Sequence, residues 1–380
     1  MKLGVSAFAM DGGKSGISQY IINVLPRLAQ LDSDIELVIF MSRKDANLLG
    51  ERVPAGSIVT TPDCLARPVI NIVWHLLVFP LLLRRHRCDC AFMPAGNRRL
   101  AWYYGIPSVA TIHDLSQLHV TEKYGPLRMF YVRNVLPALF ARLTRIVSVS
   151  QSTQRDLVDY AKLPSERIRV AYNGADLSRF GPRDKHTARQ RASAVLGNSA
   201  PYMLYTARLE HPGKNHVRLI EAIALLKQHG GLNHRLVLAG SRWNGAEAID
   251  EAIRALDLVN DVILTGFIPN ETLPDLYAGA DLFVFPSLFE GFGIPVLEAM
   301  ISGTPVCAAD VSSIPEVTGD AALLFDPEDP ADIARQIERL LNDPQLGQQL
   351  VARGLHQAKR FSWNDAARGV VHQVREAVAA

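Results

Sequence analysis

The sequence predicts an α/β protein built from two doubly wound parallel sheets. Short apolar runs alternate with amphipathic helical stretches along the whole chain, the pattern of parallel strands covered by helices. The alternation stops at the polar stretch "FGPRDKHTARQRASAVLGNSAP" and then starts again. The length, 380 residues, suits two domains, each with room for its own core.

In the first half, "KLGVSAF", "IELVIFM", "CAFMP", "PSVATI" and "RIVSVS" read as strands. Between several of them lie stretches with apolar residues at helical spacing, such as "ISQYIINVLPRLAQ" and "LRMFYVRNVLPALFARL". The second half supplies six more strand candidates: "YMLYTA", "RLVLAG", "DVILTG", "DLFVFP", "TPVCAA" and "AALLF". "WNDAARGVVHQVREAVAA" closes the chain as a further helix. The expected domains are residues 1–180 and 200–360, with 181–199 as linker and 361–380 as the last helix.

With 48% hydrophobic and 21% charged residues, the composition is that of a soluble globular protein. The net charge of +2 hides an asymmetry: residues 1–180 hold 22 Lys+Arg against 14 Asp+Glu, and the balance reverses beyond them. A basic first half suits an anionic partner or a membrane surface, and two differently charged domains explain it equally well. No nucleic-acid partner is expected. Cys64, Cys88, Cys90 and Cys307 lack zinc-ligand spacing and read as reduced, buried thiols of a cytoplasmic protein. "MKLGVSAF" reads as a first strand and not as a signal peptide. The apolar run from Val69 to Leu83 is interrupted by Asn71, His75 and Pro80 and is too short to span a membrane. It reads first as a buried helix. The second reading is an interfacial helix with Arg84, Arg85 and Arg87 near phospholipid headgroups.

Several motifs could carry chemistry. "DGGKSG" fails the Walker pattern, because Phe8 stands where its first glycine belongs, and it fails the dinucleotide fingerprint too. What remains is a glycine-rich turn, Gly12, Gly13 and Gly16, opening a helix whose N-terminus favours anions; a plain tight turn explains it equally. "TIHDLS" puts His113 and Asp114 just past a strand end, where ligands of doubly wound sheets bind, although a lone His is more often structural. In "VSVSQSTQRDL", Ser150 or Ser152 reads as a helix cap. "YTARLEHPGKNH" places Arg208 and Lys214 after a strand, two cations suited to a diphosphate or simply to solvent. "FPSLFEGFGIPVLEAM" ends a strand in Glu290, turns at Gly291 and Gly293, and starts a helix near Gly293 or Ile294 that carries Glu298. The two acids suit sugar and ribose hydroxyls, or a plain helix N-terminus.

Glu290 and Glu298 form E-x7-E, and with "ARLEHPGKN" upstream and "RFSWNDAA" near the end the chain resembles the retaining glycosyltransferases of family 4. The resemblance covers nearly the whole chain. It implies the GT-B fold: two Rossmann-like doubly wound domains facing a central cleft, with the C-terminal helix crossing back to the N-terminal domain. It assigns Arg208 and Lys214 to the donor diphosphate. Glu290 goes to the donor sugar, with the backbone N–H groups of Phe292, Gly293 and Ile294 beside it. Glu298 goes to the ribose, and His113 to the donor sugar from the first domain. Gly12, Gly13 and Gly16 match a loop over the phosphates and acceptor. One departure is Gly213, where relatives often carry a second basic residue.

The activity implied is transfer of a sugar from a nucleotide diphosphate sugar with retained configuration. No cofactor or metal is implied, and Asp32-Ser33-Asp34, at the amino end of its strand, reads as a solvated turn. "SGISQYIINVL" and "SSIPEV" resemble segments of bacterial mannosyltransferases, which points to GDP-mannose, with UDP- or dTDP-sugars open. The implied acceptor is a glycan or polyprenyl-linked oligosaccharide at the inner face of the membrane, with possible peripheral contact there. A non-catalytic sugar-nucleotide-binding scaffold is the reading from another class, and a GT-B phosphorylase or epimerase is the third.

Overall fold

The computed structural model describes residues 1–97, 99–120, 125–230 and 232–380. The chain forms two compact units. The first holds Met1–Leu118, Gly125–Gly174 and Ser362–Ala380, and the second holds Ala175–Phe361 with His119 and Val120.

The first unit is built on a seven-stranded sheet. Its strands are β1 (Lys2–Ser6), β2 (Glu36–Ser42), β3 (Ile58–Thr61), β4 (Cys90–Met93), β5 (Ser108–Ile112), β6 (Arg145–Ser148) and β7 (Ile168–Val170). The order is β3-β2-β1-β4-β5-β6-β7, and every pairing is parallel. The order reverses direction between β1 and β4, so the crevice beyond their carboxyl ends is the natural ligand position. The edge strands β3 and β7 are absent from the sequence expectation. They are "IVTT" and "IRV", too short and too polar to stand out as apolar runs.

Helix α1 (Gly16–Leu31) follows β1; Ser15 and Ser18 form a reciprocal capping box that fixes its start. Helices α2 (residues 68–85) and α3 (residues 126–141) each contain one π turn, Trp74–Val78 and Tyr131–Val135. Each π turn stands just before an internal proline, Pro80 or Pro137. There the Phe79 N–H reaches back to Trp74 O and the Leu136 N–H to Tyr131 O. A proline ring clashes with the carbonyl four residues earlier, and the wider turn relieves that clash without ending the helix. Helix α4 (Gln151–Asp159) starts at Ser150, whose side chain accepts the Thr153 N–H, so this serine acts as a cap. Phe40, Trp74, Phe79 and Phe140 belong to one core on the side of the sheet that α2 and α3 cover.

The second unit has a six-stranded parallel sheet: β8 (Tyr202–Thr206), β9 (Arg235–Ala239), β10 (Val262–Gly266), β11 (Leu282–Phe285), β12 (Val306–Ala309) and β13 (Leu323–Phe325). All six match the sequence expectation. The order β10-β9-β8-β11-β12-β13 reverses between β8 and β11. Strands β8, β11 and β12 are buried along their whole length, as expected for a parallel sheet covered on both faces.

The stretch 181–199, expected as a linker, carries helix α5 (Lys185–Leu196). It packs on the second unit: Arg189 donates to Gly279 O at 3.0 Å and pairs with Asp281 at 2.6 Å, and Arg183 pairs with Asp275 at 2.6 Å. Its polar composition hides a small buried face of Ala188, Ala192 and Leu196, supported by these ion pairs. The other second-unit helices used below are α6 (His216–Gln228), α7 (Leu273–Gly279) and α8 (Ile294–Ile301).

The last helix, α9 (Trp363–Ala379), belongs to the first unit, as expected. Trp363, Ala366, Val370 and Val374 are buried, and Gln373 donates to Ile146 O at 3.2 Å. Arg375 holds Asp32 through two bonds of 2.7 Å and Asp34 at 3.2 Å. The Asp32-Ser33-Asp34 turn is therefore an anchor for α9 and not merely solvated. Cys88, Cys90 and Cys307 are buried as expected, whereas Cys64 is exposed.

The apolar run at Val69–Leu83 is a helix, but it is not fully buried. Trp74, His75, Phe79 and Leu83 face the core, while Val69, Leu77 and Leu81 are 75%, 64% and 67% exposed. Both faces are apolar, so the sequence could not reveal that one of them meets solvent. The stretch from Arg128 to Arg145 places Val132, Leu136, Leu139 and Phe140 in the core and leaves Phe130 outside.

Candidate functional site

Two loops flank the switch point of the second sheet. One follows β8 and carries Arg208 and Lys214; the other follows β11 and carries Glu290. They are stitched together. Leu288 N–H donates to Gly213 O at 3.1 Å. The buried Asn215 side chain donates to Pro286 O at 3.0 Å and to Pro327 O at 2.7 Å. Asn215 itself adopts a left-handed conformation, φ 58°, and starts α6. The buried Tyr205 hydroxyl donates to Lys214 O at 2.8 Å and lies 3.1 Å from Ser287 Oγ.

This frame brings Lys214 and Glu290 together. Lys214 Nζ donates to Glu290 Oε1 at 2.5 Å, and both side chains are largely shielded from solvent. The Glu290 backbone is gripped on both sides: its N–H donates to Ser312 Oγ at 3.0 Å, and its carbonyl accepts from Ser313 Oγ at 2.9 Å.

Arg208 stands half-exposed on the same loop. Its guanidinium lies 3.9 Å from Glu210 and 5.0 Å from the Trp243 ring centroid. Trp243 is placed by pairing of the loops after β8 and β9, its N–H donating to Leu209 O at 2.9 Å.

After Glu290 the chain turns into α8. Phe292 is buried with its ring edge-on to Phe361 at 5.6 Å. Gly293 has φ 96°, and a Cβ there would lie 2.7 Å from Ile314 Cδ1, so glycine is required. Ile294 then opens the helix. The first turn of a helix directs N–H groups without intrahelical partners outward, a ready anion site, although Pro295 contributes none.

Glu298 sits in α8, partly buried. Tyr277 of α7 donates its hydroxyl proton to Glu298 Oε2 at 2.9 Å. That hydroxyl has one proton, so the Thr206 hydroxyl, 2.7 Å away, donates to it in turn. Burial pushes the Glu298 carboxyl up to about 7, against the easing effects of the Tyr277 bond and of Arg179. The buried Tyr277 hydroxyl is held well above its ordinary value, first by burial and then by the Glu298 charge.

A cavity of about 1010 Å³ opens at the carboxyl edge of the same sheet, lined among others by Arg218, Leu288, Asp310, Asp326 and Glu328. Lys214, Glu290 and Glu298 do not line it. Its carboxylates, Asp310, Asp326, Glu328 and Asp332, disfavour a diphosphate there. Among the described residues, no group of three or more His, Cys, Asp or Glu is arranged to hold a metal ion.

The first unit carries the remaining expected residues. Gly12 and Gly13 form a short turn after β1 with φ 71° and 83°, braced by Gly12 N–H to Asp45 at 3.3 Å and Gln19 Nε2 to Gly13 O at 2.7 Å. Gly16 is the first residue of α1. His113 follows β5 and is buried. Its Nε2 lies 2.7 Å from Pro94 O, so that nitrogen carries the proton and Nδ1 keeps its lone pair. Burial lowers its pKa and keeps the ring neutral. Tyr20 packs edge-on against it at 4.9 Å.

The sequence alone does not single out Tyr205, Tyr277, Ser312 or Ser313. "SSIPEV" carries only a resemblance, and neither "YMLYTA" nor "LYAGAD" marks its tyrosine as special.

Comparison with known proteins agrees with this architecture. The model described as Glycosyltransferase Family 4 matches residues 14–179, and that described as Glycosyl transferases group 1 matches residues 187–357. The chain is 30% identical to O-antigen chain mannosyltransferase B of Escherichia coli, across 92% of this chain and 93% of that one. It is 27% identical to a D-inositol 3-phosphate glycosyltransferase of Acidothermus cellulolyticus, across 97% and 87% of the two chains. Among solved structures, HepE of Anabaena, in complex with UDP and glucose, superposes with a TM-score of 0.77 at 19% identity, covering 99% of this chain and 100% of that one. Sucrose-phosphate synthase of Thermosynechococcus elongatus gives 0.75 at 21% identity, covering 100% and 99%. These likenesses establish the fold as GT-B. With a family model on each half and a relative matched almost end to end, the chain belongs to the GT-B glycosyltransferases of family 4 and resembles bacterial mannosyltransferases.

Proposed function

We propose that this glycosyltransferase is a retaining, metal-independent enzyme that transfers mannose from GDP-mannose to a glycan or polyprenyl-linked acceptor. The setting proposed is polysaccharide or lipopolysaccharide assembly at the inner face of the cytoplasmic membrane. The observation that carries it is the Lys214–Glu290 pair, 2.5 Å long, joining the two loops that flank the switch point of the second sheet. The match to an O-antigen chain mannosyltransferase over 92% of the chain supports the sugar and the setting.

In this reading Arg208, Lys214 and the N–H groups at Phe292 to Ile294 receive the diphosphate. Glu298 accepts hydrogen bonds from the ribose, and Glu290 contacts the donor sugar, the role also given to His113. The bond from the anomeric carbon to the diphosphate oxygen breaks, and a bond to the acceptor hydroxyl oxygen forms on the same face. The acceptor proton passes to the departing phosphate. Charge on that phosphate is stabilised electrostatically by the two cations.

The test is a calorimetric screen of GDP, UDP, dTDP and ADP with their common sugars, without metal, followed by turnover in EDTA. A selective response to GDP and GDP-mannose supports the reading. A response to UDP or dTDP overturns the mannose assignment, and silence from every nucleotide favours a non-catalytic scaffold. Activity lost in EDTA and restored by Mn²⁺ overturns metal independence.

A further inference from the structure

Arg208 is the more exposed of the two cations assigned to the diphosphate. Half of its side chain meets solvent, whereas Lys214 is shielded beside Glu290. A long, half-solvated side chain samples many rotamers, and a phosphate gains less from it unless something narrows them first. Two groups lie close enough to do so. The Trp243 ring centroid is 5.0 Å from Arg208 Cζ, and the Glu210 carboxylate is 3.9 Å from the guanidinium.

Trp243 is 51% exposed, so filling the core does not account for it. The backbone that carries it is nevertheless closely fitted. Beyond the sheet the loops after β8 and β9 stay paired in parallel: Leu209 N–H donates to Ser241 O at 3.0 Å, Trp243 N–H to Leu209 O at 2.9 Å, and His211 N–H to Asn244 O at 3.1 Å. Glycines permit this approach. A Cβ at Gly240 would lie 1.9 Å from Ala207 O, and Gly245 combines φ 76° with a Cβ position 3.0 Å from His211 O. Arg242, next to Trp243, grips Asp250 of the helix Ala246–Ala255 through bonds of 3.1 and 2.5 Å. A chance surface stack would sit on a loose loop. This one rides on a ladder that extends the sheet and ends on a helix.

Ring and carboxylate act differently on Arg208. The Glu210 side chain is buried and too far from Arg208 for a hydrogen bond, so it adds attraction without occupying an N–H group. The ring face attracts a guanidinium and leaves its in-plane N–H groups to another acceptor. A carboxylate bonded directly would compete with a diphosphate for those donors, and a ring does not.

We propose that Trp243 is a positioning residue for Arg208. Its ring holds the guanidinium in place, and the donor diphosphate is received there without the stack breaking. This role rests on Arg208 receiving the diphosphate, as proposed above, and Trp243 acts only through that arginine.

The test is isothermal titration of the full chain with GDP, or with UDP, dTDP or ADP if the screen above selects it. Arg208→Ala is expected to weaken binding about tenfold or more. Trp243→Leu is expected to weaken it about fivefold, and Trp243→Gln by the same factor, since both lose the ring. Trp243→Phe keeps an aromatic face and is expected to lose no more than about twofold. With Arg208→Ala already present, Trp243→Leu is expected to change nothing further, because the ring then has no guanidinium to hold. A ring that merely supported the loop would cost the same factor in either background, and that outcome overturns the proposal. So does equal affinity of Trp243→Phe and Trp243→Leu, or wild-type affinity in Trp243→Leu or Trp243→Gln. Unchanged melting temperatures confirm that these half-exposed substitutions fold. Loss in Arg208→Ala without loss in Trp243→Leu overturns this role alone. Unchanged affinity in Arg208→Ala, or silence from every nucleotide, overturns the diphosphate assignment and this role together.

Discussion

Lys214 and Glu290 neutralise each other, so substituting either one changes both. Lys214→Ala is expected to weaken nucleoside diphosphate binding by about 1–3 kcal/mol, the scale of a lost charge-assisted bond. Isothermal titration measures it, and unchanged affinity removes Lys214 from the phosphate site. Glu290→Ala releases Lys214 from its 2.5 Å partner. Turnover is expected to fall by roughly a hundredfold or more, while nucleoside diphosphate affinity holds or rises. Glu298 adds a pH dependence. A carboxyl raised from 4.5 to about 7 keeps its proton in the folded chain where the unfolded chain has lost it. Folding stability from this group therefore declines as pH rises through that window, by up to about 3 kcal/mol. If Glu298 holds the ribose as proposed, nucleotide binding moves the other way, because only the ionised carboxylate would accept from both ribose hydroxyls. Affinity should increase between about pH 6 and pH 8. Glu298→Gln should flatten both trends, and a titration series that keeps its slope in that variant would assign the dependence elsewhere.

The loops around these side chains depend on a few fixed points. Asn215 ties the β8 loop to the ends of β11 and β13 through two buried bonds. Asn215→Ala leaves two carbonyls unsatisfied and is expected to lower stability by about 2–4 kcal/mol, read from a denaturant melt. Much at this level was legible beforehand. The strands of the second sheet stood out because each is a short apolar run bounded by turn formers. Glu290, Gly293 and Glu298 stood out through their spacing. What escaped was whatever depends on partners far along the chain. The hydrogen bond from Tyr277 to Glu298 crosses two elements, and nothing in "LYAGAD" announces it. Helix α5 escaped because its buried face is only Ala188, Ala192 and Leu196, set in a polar stretch that Arg183 and Arg189 pin by ion pairs. The exposed side of α2 escaped because an apolar residue reads the same whether it meets protein, lipid or water.

Each unit is a parallel sheet with one reversal of strand order; Gly12 and Gly13 follow β1 and Lys214 and Glu290 follow β8 and β11 at those reversals, while His113 follows β5, one strand further along. The first unit has a further requirement: α9 completes it. Trp363→Ala is expected to cost about 3–5 kcal/mol through the space it vacates, whereas Arg375→Ala, at an exposed ion pair, should cost less than about 1 kcal/mol. Thermal melts of the two variants test the ranking, and equal losses would mean that the ion pairs and not the buried face secure the helix.

The position of α9 also sets an order of events during synthesis. The first unit begins at Met1 yet includes Ser362–Ala380, so that unit can close only once residues 362–380 have left the ribosome. The second unit has all of Ala175–Phe361 available earlier. The domain translated first is thus completed last. Until α9 emerges, the surface that Trp363 and Val370 will cover stays open to chaperones, and a message truncated before codon 363 yields a whole second unit attached to an unfinished first one.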